Sequence, residues 1–152
     1  MPRRYDAHYS AAVTASGELL QITGPSDAVT RITSVRLTQS TDYGDAAAEG
    51  LRVSLNRSAS AGSGGGTVTP TAKETGDAAY GGTVLSANST PAGSLTVLVE
   101  EAFNIQAGYF WQPTEKNELY VSPSGVFVIR LETSPADSIT FDLQVEFEEI
   151  GG

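Results

Sequence analysis

Residues 138–148 read SITFDLQVEFE. Ile139, Phe141, Leu143, Val145 and Phe147 alternate with Ser138, Thr140, Asp142, Gln144, Glu146 and Glu148. A period of two over this length belongs to a β-strand, whose successive side chains point to opposite faces. The apolar face must be buried. The other face carries Asp and Glu, and must be wet or meet a basic partner, because an unpaired buried carboxylate is costly.

The same period recurs towards the N-terminus, and no helical period competes with it over a comparable length. Tyr5, Ala7, Tyr9, Ala11 and Val13 alternate with Arg4, Asp6, His8 and Ser10. Leu19-Leu20-Gln21-Ile22 is short and is stopped by Gly24-Pro25. Residues 28–38 (AVTRITSVRLT) are rich in β-branched side chains, but the alternation slips between Ile32 and Val35, which predicts a bulge. Leu51, Val53 and Leu55 form one apolar face, and Leu95, Val97 and Val99 another, with Leu98 opposite. Leu119 and Val121 begin a strand that Pro123 ends, and Phe127, Ile129 and Leu131 line the next. Seven to nine short strands between Gly, Pro, Ser and Asp loops predict an all-β, antiparallel β-sandwich, jelly roll or barrel. The one helical stretch the sequence allows is a turn or two at Asp45–Glu49.

The chain has 152 residues, enough for one domain that buries roughly 70% of its unfolded surface. The middle, residues 58–94, stands apart. Its first part, SASAGSGGGTVTP (58–70), is too glycine-rich to be pre-organised, and residues 71–94 hold few large apolar side chains beyond Tyr80, Val84 and Leu85. The expectation is a long, weakly structured loop, which in a compact domain is functional or disordered.

The formal net charge is −9. Residues 1–60 balance six Arg against six acids, while residues 61–152 hold three basic and twelve acidic residues. A net negative chain repels phosphate, so nucleic acid is not an expected partner. The excess acidity serves solubility, or complements a basic partner. There is no cysteine, which excludes disulfides, thiolate metal sites and a Cys nucleophile. Met1–Asp6 lacks the apolar region of a secretory signal, and no run approaches ~18 apolar residues, so no membrane span is expected.

Catalytic constellations are not found. His8 is the only histidine, sits on a polar strand face, and has no G-x-S-x-G elbow to serve. Gly62–Gly66 lacks the Lys-Ser or Lys-Thr and the following helix of a phosphate loop. Asp42, Asp45 and Glu49 offer hard oxygens, but not at EF-hand spacing, and a turn stabilised by Asp side chains is the favoured role. The chain is therefore expected to be no enzyme, with no cofactor and no metal. Tyr109-Phe110-Trp111 is the densest aromatic cluster. On a strand, Phe110 points away from its two neighbours, so one side joins the core and the other is open to a partner.

Five stretches carry a resemblance: QSTDYGDAAAEGLRV (39–53), AGSGGGTVTP (61–70), EAFNIQAGYFWQPTE (101–115), SPADSIT (134–140) and FEEIGG (147–152). In this order, and almost end to end, the chain resembles a family of small phage and prophage virion-associated proteins, similar to head decoration (cement) proteins. The resemblance implies a β-jelly-roll module on the outer surface of the phage head, trimeric, with the major capsid protein as partner. Alternatives are a neck, tail or fibre-associated protein and a carbohydrate-binding host-adhesion module. The expected partner-contact residues are Arg3, Arg4 and Tyr5 in an N-terminal arm, Asp42, Tyr43 and Asp45 in a turn, and Tyr109, Phe110 and Trp111.

Overall fold

The computed structural model of the protein describes residues 1–44 and 49–151. These form β1 (Arg3–Val13), β2 (Gly17–Thr23), β3 (Val29–Gln39), β4 (Gly50–Ser60), β5 (Gly66–Val68), β6 (Thr71–Ala72), β7 (Thr83–Ser86), β8 (Gly93–Asn104), β9 (Tyr109–Trp111), β10 (Leu119–Val121), β11 (Val126–Leu131) and β12 (Ile139–Ile150). The fold is all-β, with two antiparallel six-stranded sheets and no helix among the described residues. The short helix considered at Asp45–Glu49 falls, apart from Glu49, outside the described residues.

One sheet runs β10-β3-β12-β1-β6, with β9 beside β10 on the same edge of β3. The other runs β5-β7-β2-β11-β4-β8. Setting β5, β6 and β7 aside, the pairing is nested. β1 pairs with β12, β2 with β11, β3 with β9 and β10, and β4 with β8. The chain changes sheet at each step of this nest except between β4 and β8 and between β9 and β10. Neither sheet closes on itself, and one core spans both, giving a sandwich-like arrangement.

β12, the strand with the clearest alternation, lies at the centre of its sheet between β1 and β3. Ile139, Phe141, Leu143, Val145 and Phe147 are all buried. The slip in β3 is a bulge: Ser34 pairs with Glu146 and Ile32 with Phe147, leaving Thr33 as the extra residue. The bulge resets the phase, so Ile32 and Val35, three apart, both reach the core.

The middle of the chain corrects the expectation of a weakly structured loop. β5 and β7 extend one sheet beside β2, and β6 pairs with β1 in the other. Ser63 and Thr90 form a β-bridge between the two halves of the segment. The glycines permit backbone to lie on backbone. A Cβ on Gly62 would sit 2.5 Å from the Thr90 carbonyl oxygen and 2.8 Å from the Ala92 nitrogen. Polar side chains of β2 hold the segment down. Gly62 N–H donates to Gln21 Oε1 at 2.7 Å, Ala92 N–H donates to Glu18 Oε1 at 2.5 Å, and Asn88 Nδ2 donates to both carboxamide and carboxylate at 3.1 Å. Composition missed this because the anchors lie about 40 to 70 residues away in sequence.

β8 brings a second correction. Its apolar pattern predicts a half-buried face, yet it is the outermost strand of its sheet. Leu55 pairs with Val99 and Asn56 with Val97, so Leu98 is a bulge, and Val97 and Leu98 are 50% and 40% exposed.

Candidate functional site

The expected N-terminal arm is a strand. From Arg3 onwards the chain is zipped against β12, and Tyr5 is wholly buried. Its hydroxyl donates to the Ala78 carbonyl at 2.9 Å, and its ring centroid lies 5.4 Å from Tyr80 and 5.8 Å from Phe147. Tyr5 is thus a core residue rather than a contact residue. Burial raises its pKa, and pushes that of Tyr80 up to about 12. Arg3 pairs with Glu149 at 2.8 Å, and Arg4, on the exposed side, with Glu74 at 2.9 Å.

The acidic face of β12 finds much of its basic partner within this chain. Arg31 bridges Glu118 at 3.2 Å and Glu148 at 2.5 Å, and Lys73 pairs with Glu146. The hydrogen bond from Lys73 is the main reason the Glu146 pKa falls below its ordinary value. The face is paired locally because β12 is central: β3 supplies Arg31 from one side, and the segment running out of β6 supplies Lys73 from the other.

The turn after β3 is held by the Gln39 side chain. Gln39 Oε1 accepts from Thr41 and Asp42 N–H at 3.0 and 2.7 Å, and Gln39 Nε2 donates to the Asp42 carbonyl at 3.0 Å. Tyr43 donates its hydroxyl to the Gln39 carbonyl, yet the residue stays 69% exposed. Asp45 lies outside the described residues. Asp42, Glu49 and Asp137 bring carboxylate oxygens within 4.8 Å of one another, and these are the described residues that could hold a hard cation. Asp137 joins because the loop before β12 docks here, Ala136 N–H donating to Glu49 Oε1 at 2.7 Å. Nothing in the local sequence announces that meeting.

The aromatic cluster divides as its spacing predicts. Tyr109 and Trp111 are buried and Phe110 is exposed. Burial, and then the Glu101 carboxylate, push the Tyr109 pKa upward. Phe110 carries the Arg36 guanidinium 5.0 Å from its ring centroid. Of the three, only Phe110 offers its side chain to a partner. His8 is exposed on the outer face of its sheet, opposite Gln144.

Sequence reasoning missed that the apolar run of β8 stays exposed. Among the described residues, Val97, Leu98, Phe110 and Tyr120 are exposed large hydrophobics on β8, β9 and β10. These strands bound one flank of the sandwich. Two depressions lie along it, one reaching Arg57, Leu98 and Leu119, the other Leu98, Glu101, Trp111 and Leu119. The opposite flank is occupied by β5, β6 and β7. The signal was present in the Leu95–Val99 run, but edge and central strands carry the same local pattern. The chain matches no protein-family profile, no curated protein and no solved structure.

Proposed function

We propose that this chain is a phage virion structural protein: a trimeric capsid decoration (cement) protein that binds the outer head surface and stabilises contacts between major capsid subunits. The observation that carries this reading is the exposed apolar side chains of the edge strands β8, β9 and β10, on a two-sheet frame whose acidic strand β12 is paired internally. Such a frame is suited to contact, and the resemblance drawn from the sequence supplies the virion context. The finer fold assignment is a jelly roll. Its support is the nested pairing of β1 with β12, β2 with β11, β3 with β9 and β10, and β4 with β8, as in a long hairpin rolled into two sheets. Jelly rolls serve in capsids and lectins alike, so this supports the reading without deciding it.

The work of a cement protein is thermodynamic. A protein that binds only the expanded shell stabilises that state by mass action, and many copies compound the effect. Purified virions are expected to carry the chain in a copy number proportional to that of the major capsid protein. A handful of copies per particle would transfer the protein to the neck, tail or fibre. A second reading, a carbohydrate-binding adhesion module, is favoured by Phe110 and Tyr120, both exposed and both on the outer face of their sheet opposite Arg36 and Arg31. Glycan-array binding that disappears in Phe110→Ala would establish it, and silence on the array would remove it.

A further inference from the structure

The outer edge of β8 is twelve residues long, and no strand covers it among the described residues. We propose that it is covered by a second copy of this chain, the two β8 strands pairing antiparallel about a two-fold axis between Leu98 and Val99. This goes beyond the proposed head-binding role and does not depend on it.

The argument begins with the bulge. Paired residues share a sheet face, so Val99, Glu101 and Phe103 lie on the core side with Leu55, Val53 and Leu51. Thr96 lies on that side with Arg57. We assign Leu98, the extra residue of the bulge, to the same side, because it lines both flank depressions beside Leu119, which packs against the core. Val97, Glu100 and Ala102 lie on the other face, opposite Asn56, Ser54 and Arg52. The strand therefore reads the same in both directions about the point between Leu98 and Val99. A copy rotated about that point sets Leu98 against Val99, Val97 against Glu100, and Thr96 against Glu101, each pair on one face. A one-residue shift in either direction sets core-side residues against outward ones across the bulge. The irregularity that blunts this edge against indiscriminate pairing thus selects one self-pairing register.

Charge supports the same occupant. Glu100 is already paired with Arg52, and Glu118 with Arg31. Arg57 and Glu101 are exposed and have no ion-pair partner among the described residues. In the symmetric register Glu101 of one copy faces Thr96 of the other, and Arg57 is the residue beside that Thr96 on β4. Adjacent strands are about 4.8 Å apart, so the two long side chains meet across Thr96 on the same face. The two-fold makes the ion pair twice. Between them, Leu98 and Val99 of both copies close the flank over Leu119. A trimer can carry this contact as well, linking trimers pairwise.

The test is the self-association of the purified full chain by sedimentation equilibrium, with amide exchange read residue by residue. A concentration-dependent dimer is expected, with protection gained along β8. Leu98→Lys should weaken it by about a hundredfold or more, since each copy then buries a charge in the contact. Arg57→Glu and Glu101→Arg should each weaken it about tenfold, and the double reversal should restore it to within about threefold. Circular dichroism of each variant separates loss of pairing from loss of fold. The proposal is overturned by a chain monomeric up to about 1 mM, the dissociation range of the weakest contacts. An oligomer indifferent to Leu98→Lys, or a double reversal no better than its singles, also overturns it. So does protection of β8 that arises only on purified heads, which would identify the shell as the occupant and leave the head-binding role standing.

Discussion

The two flanks of the sandwich solve the same problem differently. Both begin with exposed strand edges and a gap between the sheets. On the β1–β2 flank, the polar, glycine-rich chain between β4 and β8 folds into the gap, and Tyr80 enters the core with its ring centroid 4.9 Å from that of Phe147. Its hydroxyl lies 2.7 Å from Thr30 Oγ1. On the β8–β10 flank the sheet ends, and Val97 and Leu98 stay exposed. An apolar run does not guarantee burial, and a glycine-rich run does not guarantee mobility. What each becomes depends on whether another segment is within reach.

The sharpest way to break this contrast is to empty the sealed flank. Tyr80→Ala is expected to cost about 3–5 kcal/mol, the range for deleting a buried aromatic, measured by denaturant unfolding followed through Trp111 fluorescence. A cost under about 1 kcal/mol would mean that the segment lies on the sandwich without sealing it.

Alkaline titration probes the same residue without mutation. Its folded pKa of about 12 lies above the ordinary value of 10.0. The neutral form is favoured in the fold, so this contribution is complete below pH 10 and is lost as pH rises through about 12. The loss is on the order of 2–3 kcal/mol. Tyrosinate absorbance at high pH should show a late-titrating class that merges with unfolding, and titration of every tyrosine near 10 would contradict the seal.

Gly62→Ala is expected to cost about 1–3 kcal/mol, because its Cβ would press on the backbone of Thr90 and Ala92. Gly50→Ala, whose Cβ meets nothing closer than the Phe103 carbonyl at 4.0 Å, should be within about 0.5 kcal/mol of neutral. Equal effects would return the glycine run to the status of a flexible loop. The smallest effect belongs to the open flank. Leu98→Lys should change the stability of the isolated chain by no more than about 0.5 kcal/mol, as for surface substitutions generally, while removing its contacts. A cost of several kcal/mol would show that Leu98 already belongs to a closed core.

The strands were legible wherever a local rule suffices. β12, the bulge near Thr33 and the opposite facing of Phe110 and Trp111 all follow from the period of two and its interruption. The candidate contact residues were less legible. Tyr5 was assigned to a contact arm although its own alternation marked it as apolar-face, and burial at the centre of an aromatic trio settles where it goes. The carboxylates of Asp42 and Glu49 could be noticed together in the sequence, but Asp137 could not, since only the docking of the loop before β12 brings it there.

The sequence by itself determined an all-β chain, the in-and-out order along each strand, and an acidic C-terminal half without cysteine. Those properties depend on one residue and its near neighbours. Only the tertiary structure decided that β12 is central and β8 an edge, that Lys73 and Arg31 answer the acids of β12, and that a glycine-rich segment closes one flank while the other stays open. Each of these follows from pairing between residues far apart in the chain. The alternation of a strand specifies which side of a sheet a residue faces, and says nothing of which strand, if any, lies beside it.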